Sequence, residues 1–295
     1  MNSKFYNNFK TALLLGALTG LILFAGQLIG GRQGLIIALG IAAVSNFVAY
    51  FYSDKIAIMS MGAQEVGPDH ELYQITEELV RKAGLPMPRV YVAPTDAPNA
   101  FATGRNPHHA AVCATEGLLQ ILNRNEIAGV MGHELAHVKH RDILIQSVAA
   151  TIGGAISALG YMFMWGGMGG RRDNNEGGNP LAGLLVLILG PIAAGLIQAA
   201  ISRSREFNAD TEGAALAGDP MYLASALEKL EAYSKRIPME NNPAFNSMFI
   251  VEPLNIMKSM ANLFATHPPM EKRIFNLIGR ESTGSVHRAA AAGRW

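Results

Sequence analysis

The run Gly132-His133-Glu134-Leu135-Ala136-His137 contains the pattern H-E-x-x-H. Residues four apart share one face of an α-helix, so His133 and His137 can offer two imidazole nitrogens to a single metal ion. Glu134, one position on, can reach a water held by that ion. Zinc is the expected ion, because it takes imidazole and carboxylate ligands and keeps an open position in catalytic sites. Chance alone produces this pattern in roughly one chain in a hundred of this composition, so a second signal is needed. It comes further along, in Ser202-Arg203-Ser204-Arg205-Glu206-Phe207-Asn208-Ala209-Asp210, where Glu206 and Asp210 are again four apart on one helical face.

The elements that must carry these residues are mostly apolar. Of 295 residues only 16% are charged and 49% are hydrophobic, where about a quarter charged is usual for a soluble domain. Four stretches carry no charge at all: 11–31, 33–53, 143–165 and 180–201. Each is long enough to span a bilayer as a helix, which takes about 20 residues. The first is too long for a signal peptide and lacks a clear small-residue cleavage site. The expected architecture is therefore four transmembrane helices in two hairpins. For the Gly- and Ala-rich later pair, helices buried inside the protein stand as the alternative. Lys4, Lys10 and Lys55 flank the first hairpin on one side against Arg32 on the other, which places the segments outside the hairpins in the cytoplasm by the positive-inside rule. The net charge of +1 gives no case for nucleic acid, and the single cysteine, Cys113, excludes an intramolecular disulfide framework and reads as a small apolar strand residue.

Five units follow: a hairpin over 1–53, a first soluble part over 54–142, a second hairpin over 143–201, a second soluble part over 202–280, and a tail over 281–295. Within the first soluble part, Asp69 to Lys82 has apolar residues at helical spacing and stops at Gly84. Arg89 to Ala93 and Ala110 to Thr115 read as strands. Glu116 to Leu122 reads as helical, and Asn125 as the cap of the helix that carries the two histidines. No glycine or proline separates His137 from Ile143, so a continuous helix would put the metal site roughly 9 Å from the membrane. Glu206 lies about 8 Å beyond the other end of the hairpin on the same reckoning. Both ends thus deliver metal-binding groups to one depth. His108 and His109 fall in a polar turn, and His140 suits the headgroup region. Asp219-Pro220 opens a helix to about Tyr233, Met248 to Val251 reads as exposed, and Thr266-His267-Pro268-Pro269 opens a last helix containing Arg273.

Together, His133 to His137, Ser202 to Asp210, Thr266 to Arg273, Asn99 to Gly104 and the two flanking hairpins resemble the HtpX membrane metalloproteases, relatives of the CAAX prenyl endopeptidases. The resemblance implies a mainly α integral membrane protein with a cytoplasmic α+β zincin domain of gluzincin type carrying a small β-sheet. It implies one Zn2+ held by His133, His137 and Glu206, with Glu134 as catalytic base. Asp210 then orients a ligand histidine, Arg273 stands beside the site, and His267 stabilises the oxyanion or only starts a helix. Asn99, Ala100 and the strand around Val112 look like the edge to which an extended peptide substrate adds. The activity implied is zinc endopeptidase cleavage of misfolded or damaged membrane proteins at the bacterial cytoplasmic membrane. Unfolded proteins, lipids and quality-control proteins are the expected partners. A chaperone or scaffold with structural zinc, and a prenyl-protein endopeptidase, are the competing readings.

Overall fold

A computed structural model of the chain describes residues 3–153, 203–234 and 268–279. The fourth apolar block, most of the third, the loop 166–179, the run 248–251, His267 and the tail 281–295 lie outside the described residues. The first helix, α1, covers Ser3–Ser60 as two arms that reverse at Gly31, where φ is 54°. Two stretches of it, Asn7–Phe24 and Gly30–Ser60, are long and apolar enough to cross a membrane. Their outer faces expose Leu13, Phe24, Ile36, Ile37, Val44 and Phe47. Between the arms, Asn46 Nδ2 donates to Thr19 Oγ1 at 2.8 Å. The second arm runs past the expected end at residue 53 because Ala57, Ile58 and then Met61 turn their apolar sides onto the sheet.

That sheet has four strands: β1 (Gln64–Glu65), β2 (Arg89–Ala93), β3 (Ala100–Gly104) and β4 (Ala110–Thr115). Their spatial order is β1-β2-β4-β3, with β2 and β4 parallel and the outer pairs antiparallel. Alternation along the strands separates two apolar faces. Val90, Ala100, Ala102, Ala110, Val112 and Ala114 face the helical core, whereas Tyr91, Ala93, Phe101, Ala111 and Cys113 face the end of α1. Of the run Asn99 to Gly104, Ala100–Gly104 form a strand and Asn99 stands just before it. The expectation that β4 around Val112 forms the open edge is overturned. β4 is paired on both sides, Val112 is fully buried, and the outer strand is β3.

Helix α2 (Glu71–Ala83) is capped by the His70 side chain and ended by Gly84 in the left-handed conformation. α3 (Glu116–Ile121) leads into α4 (Arg124–His140), which carries the two histidines. Asn123, not Asn125, caps α4: its side chain accepts from Glu126 N–H while the Glu126 carboxylate accepts from Asn123 N–H, a reciprocal capping box. The remaining Glu126 contacts, from Ser225 and Lys229, tie the start of α4 to α7 (Pro220–Ser234).

The continuous helix expected from His137 into the third apolar block is also absent. Arg141 adopts φ 61°, ends α4, and a new helix, α5, begins at Asp142 and is described to Gly153. The left-handed conformation costs roughly 1–2 kcal/mol for a residue with a Cβ. The Asn7 side chain, donating towards the carbonyls of His140 and Arg141 at 3.3 and 3.4 Å, offsets part of that cost. α5 packs Leu144, Ile145, Val148 and Ile152 on Leu14 of α1, while Ile143 points into the main helical core.

α6 (Arg203–Ala217) crosses α4 backbone to backbone, and α8 (Met270–Ile278) packs against α6 and α7. Glycine makes the crossing possible. A Cβ on Gly132 would stand 2.5 Å from Gly213 O, and one on Gly213 would stand 2.4 Å from His133 N. Gly213→Ala should therefore destabilise the protein by about 1–3 kcal/mol through overpacking and weaken metal binding with it. Thermal unfolding in detergent, with and without added metal, reads both effects. An unchanged midpoint would show that α6 can shift without cost.

Candidate metal centre

α4 places His133 and His137 one turn apart facing α6, and α6 answers with Glu206 and Asp210, also one turn apart. His133 Nε2 and His137 Nε2 are 3.2 Å from one another. The Glu206 oxygens lie 3.8 Å from the first and 3.6 Å from the second. All three residues are buried, and among the described residues they form the one His/Cys/Asp/Glu group whose donor atoms lie within 4.8 Å of each other.

What lies behind the histidines fixes their chemistry. His133 Nδ1 faces Asp210 Oδ1 at 2.9 Å, and His137 Nδ1 faces Asp142 Oδ2 at 3.2 Å. A neutral imidazole that donates from Nδ1 carries its lone pair on Nε2. Two Nε2 atoms and a carboxylate converge on one buried point, and once His137 gives up its Nε2 proton both rings offer a lone pair to a cation there. The spacing fits: ligands about 2.0–2.1 Å from a tetrahedral zinc stand roughly 3.3–3.4 Å apart. Charge fits as well. Among the described residues, the buried carboxylates Glu134, Asp142, Glu206 and Asp210 gather with Arg205 and Arg273 around this point, an acidic cluster that suits a divalent ion.

Arg273 is fully buried, donating to both Asp210 oxygens, at 2.9 Å from Nε and 2.6 Å from Nη2. Its Nη2 also lies 3.3 and 3.4 Å from the two His133 nitrogens, so it rests against the ring as a whole. Burial opposes ionisation of Asp210, but Arg273 and His133 outweigh it and hold the carboxyl well below the usual range. Burial and the Arg273 charge push His133 down to about 4, so its ring is neutral at physiological pH. Burial acts on His137 in the same sense, yet the charges of Glu206, Glu134 and Asp142 prevail and raise it to about 9.

The structure thus brings His133, Glu134, His137, Glu206, Asp210 and Arg273 together. His267 lies outside the described residues. Asn99 and Ala100 sit at the head of β3, where Asn99 N–H donates to Thr115 Oγ1 at 2.8 Å and Asn99 Oδ1 accepts from Ala100 N–H at 3.0 Å. His140, expected at the headgroups, pairs with Glu212 of α6 instead, as does Lys139. Sequence reasoning missed Asp142, Asn7 and Arg205. Only Asp142 offered a signal, as a lone carboxylate at the threshold of an uncharged run, where an ionisable residue is costly without a role.

The chain is similar to known proteins over most of its length. The sequence matches Peptidase family M48 over residues 67–281. It is 52% identical over 293 residues to a "Protease HtpX homolog" of Desulforapulum autotrophicum, covering 98% of this chain and 94% of that one. A relative of the same description from Desulfatibacillum aliphaticivorans is 55% identical over 278 residues, 92% of this chain and 89% of its own. Among solved structures, the crystal structure of S. mikatae Ste24p is similar in fold, with a TM-score of 0.51 at 17% identity. The match covers 94% of this chain and 66% of Ste24p.

Two predictions follow from the charges. A metal ion must displace the proton that His137 holds up to about pH 9, so metal affinity should rise from pH 6 to 9 and then level off. Binding near pH 7 should release about one proton. In the metal-free protein that proton adds stability, fully present below the unfolded value near 6.5 and lost as pH rises through 9. Chelator competition across pH and calorimetry in buffers of different ionisation enthalpy measure the first two quantities, and a flat affinity profile would contradict them. Separately, Arg273→Met strands the Asp210 carboxylate and should cost about 3–5 kcal/mol. Combining it with Asp210→Asn should recover most of that loss in chemical unfolding.

Proposed function

The chain belongs to peptidase family M48 and is a membrane-bound metallopeptidase acting on peptide or protein substrates, and from that premise we propose that it is a zinc endopeptidase of membrane-protein quality control. The observation that carries this reading is the convergence of two Nε2 atoms and one carboxylate on a buried point, with each ring held from behind by a carboxylate. His133, His137 and Glu206 would hold the ion, and Asp210, Asp142 and Arg273 would fix the two rings. Zinc, when bound, supplies Lewis acidity that makes a water nucleophilic near neutral pH and stabilises negative charge on the scissile carbonyl oxygen. Glu134, buried beside both histidines, takes the proton of the attacking water on its carboxylate and returns it to the leaving amine. Asp210 accepts from His133 and is clamped by Arg273, so it would support a ligand rather than serve as one, which favours catalysis over purely structural zinc.

Substrate binding centres on β3. The N–H of Ala100 is closed by Asn99 and that of Gly104 by Ser147. Ala102, between them at the same strand parity, is where an extended peptide would pair. β3 lies against α4, which brings such a peptide to the histidines. A bacterial cytoplasmic membrane location, four spans, a cytoplasmic catalytic side and a stress-response role complete the proposal. They rest on the uncharged blocks, the lysine distribution and the similarity to the HtpX homologues.

Full-length protein in detergent, supplied with zinc and an unfolded membrane-protein substrate, tests the chemistry. Glu134→Gln should lower cleavage by about 10²–10⁴-fold while metal content stays unchanged, and chelation should abolish cleavage by the wild type. Undiminished cleavage by Glu134→Gln, or by the chelated protein, would remove the assignment.

A further inference from the structure

Asn7 lies at the start of the first apolar arm of α1, far from the histidines in sequence, yet it is 3% exposed and its amide is fully engaged. Its Nδ2 donates to Asp142 Oδ1 at 2.8 Å. Its Oδ1 accepts from Arg205 Nη1 at 2.5 Å, and the same Arg205 nitrogen donates to Asp142 Oδ1 at 3.1 Å. The other Asp142 oxygen faces His137 Nδ1. These contacts form one chain of polar groups from the membrane hairpin to a metal-ligand ring. Asn7 also points its Nδ2 at the carbonyls of His140 and Arg141, the backbone turn that swings Asp142 back towards His137. A helix that served only as a tether would place an apolar residue at such a buried spot, since burying an amide is costly unless every group is satisfied.

We propose that Asn7 is a positioning residue of the metal centre, acting on His137 through Asp142, so that the first membrane helix is part of the site it anchors. Asp142 accepts the His137 Nδ1 proton and thereby aims the Nε2 lone pair at the ion. Arg205 and Asn7 hold one Asp142 oxygen, which leaves the other free to turn to the ring. Without Asn7, the Arg141 turn loses a support and the carboxylate loses one of two groups that set its angle. The inference rests on the metallopeptidase reading, because it needs His137 to be a ligand.

The test uses the full chain in detergent, stripped of metal, with zinc affinity measured by chelator competition and unfolding recorded alongside. Asp142→Asn should weaken zinc binding by about 10–100-fold, the usual cost of losing a ligand's supporting carboxylate. Asn7→Leu, of similar size but without the amide, should weaken it in the same direction by roughly tenfold. The double variant should bind within about twofold of Asp142→Asn alone, because the two residues act in series. Asn7→Asp, which keeps an acceptor for Arg205, loses the Nδ2 donations and sets a second carboxylate against Asp142, should weaken zinc binding at least as much as Asn7→Leu and decides the matter if that variant does not fold. Thr11→Val, one turn along the same buried face, removes a hydroxyl that bonds only the Asn7 carbonyl and should leave affinity unchanged. Wild-type affinity in both Asn7 variants, or losses that add in full with Asp142→Asn, would overturn the proposal and make Asn7 a packing residue. Failure of the wild type itself to bind zinc would instead bring down the metallopeptidase reading, before any variant is compared.

Discussion

The site depends first on how closely two helices approach. Gly132 and Gly213 let α4 and α6 touch along their backbones, and a methyl group on either would collide with main chain. Only at that separation do short carboxylates on α6 reach imidazoles on α4, with Asp210 at 2.9 Å from His133 and Glu206 under 4 Å from both rings. A wider crossing would put water between them, and the shared point would be lost. The reciprocal cap at Asn123 and Glu126 holds α4 from its start, and the Lys229 and Ser225 contacts lock that cap to α7. The crossing is thus held at its middle by shape and at its end by charge.

Electrostatics then divides the two histidines. Both are buried on one helix, one turn apart, yet Arg273 lies against His133 while Glu206, Glu134 and Asp142 surround His137. One ring is kept neutral and the other holds a proton in the metal-free state. A divalent ion held there would replace that proton and offset the excess of carboxylates around it. Arg273 gains from the same arrangement. Its guanidinium meets Asp210 in a two-point contact, which satisfies much of the demand of a fully buried cation.

Local pattern reveals some of this and hides the rest. Strands Arg89–Ala93 and Ala110–Thr115, the stop at Gly84 and the helix opened by Pro220 were legible, because proline, glycine and alternation act over a few residues. The spacing of four in His133/His137 and Glu206/Asp210 was legible for the same reason. Strand order was not: alternation gives a strand two faces but says nothing about its neighbours, so Val112 read as an edge residue though its strand lies inside the sheet. The break at Arg141 was hidden because no glycine marks it. An arginine takes the left-handed conformation there with the help of Asn7, more than a hundred positions away, and no window along the chain contains both.

The same long-range contacts bear on how membrane and catalytic parts relate. The end of α1 covers one face of the sheet with Ala57, Ile58 and Met61, and the opposite face carries the core under α4. α5 leaves the site from Asp142 and packs on Leu14 of α1, while Ser147 of α5 meets Thr103 and Gly104 of the strand proposed to bind substrate. α1 and α5 therefore touch the sheet, the proposed substrate strand and the carboxylate behind His137. A sheet cut away from α1 would expose Tyr91, Phe101 and Cys113 to water, and a metal site cut away from it would lose Asn7. Burial on both faces of a four-stranded sheet makes the end of α1 a structural layer of the fold that carries the site, so the hairpin that would anchor the chain also completes its core.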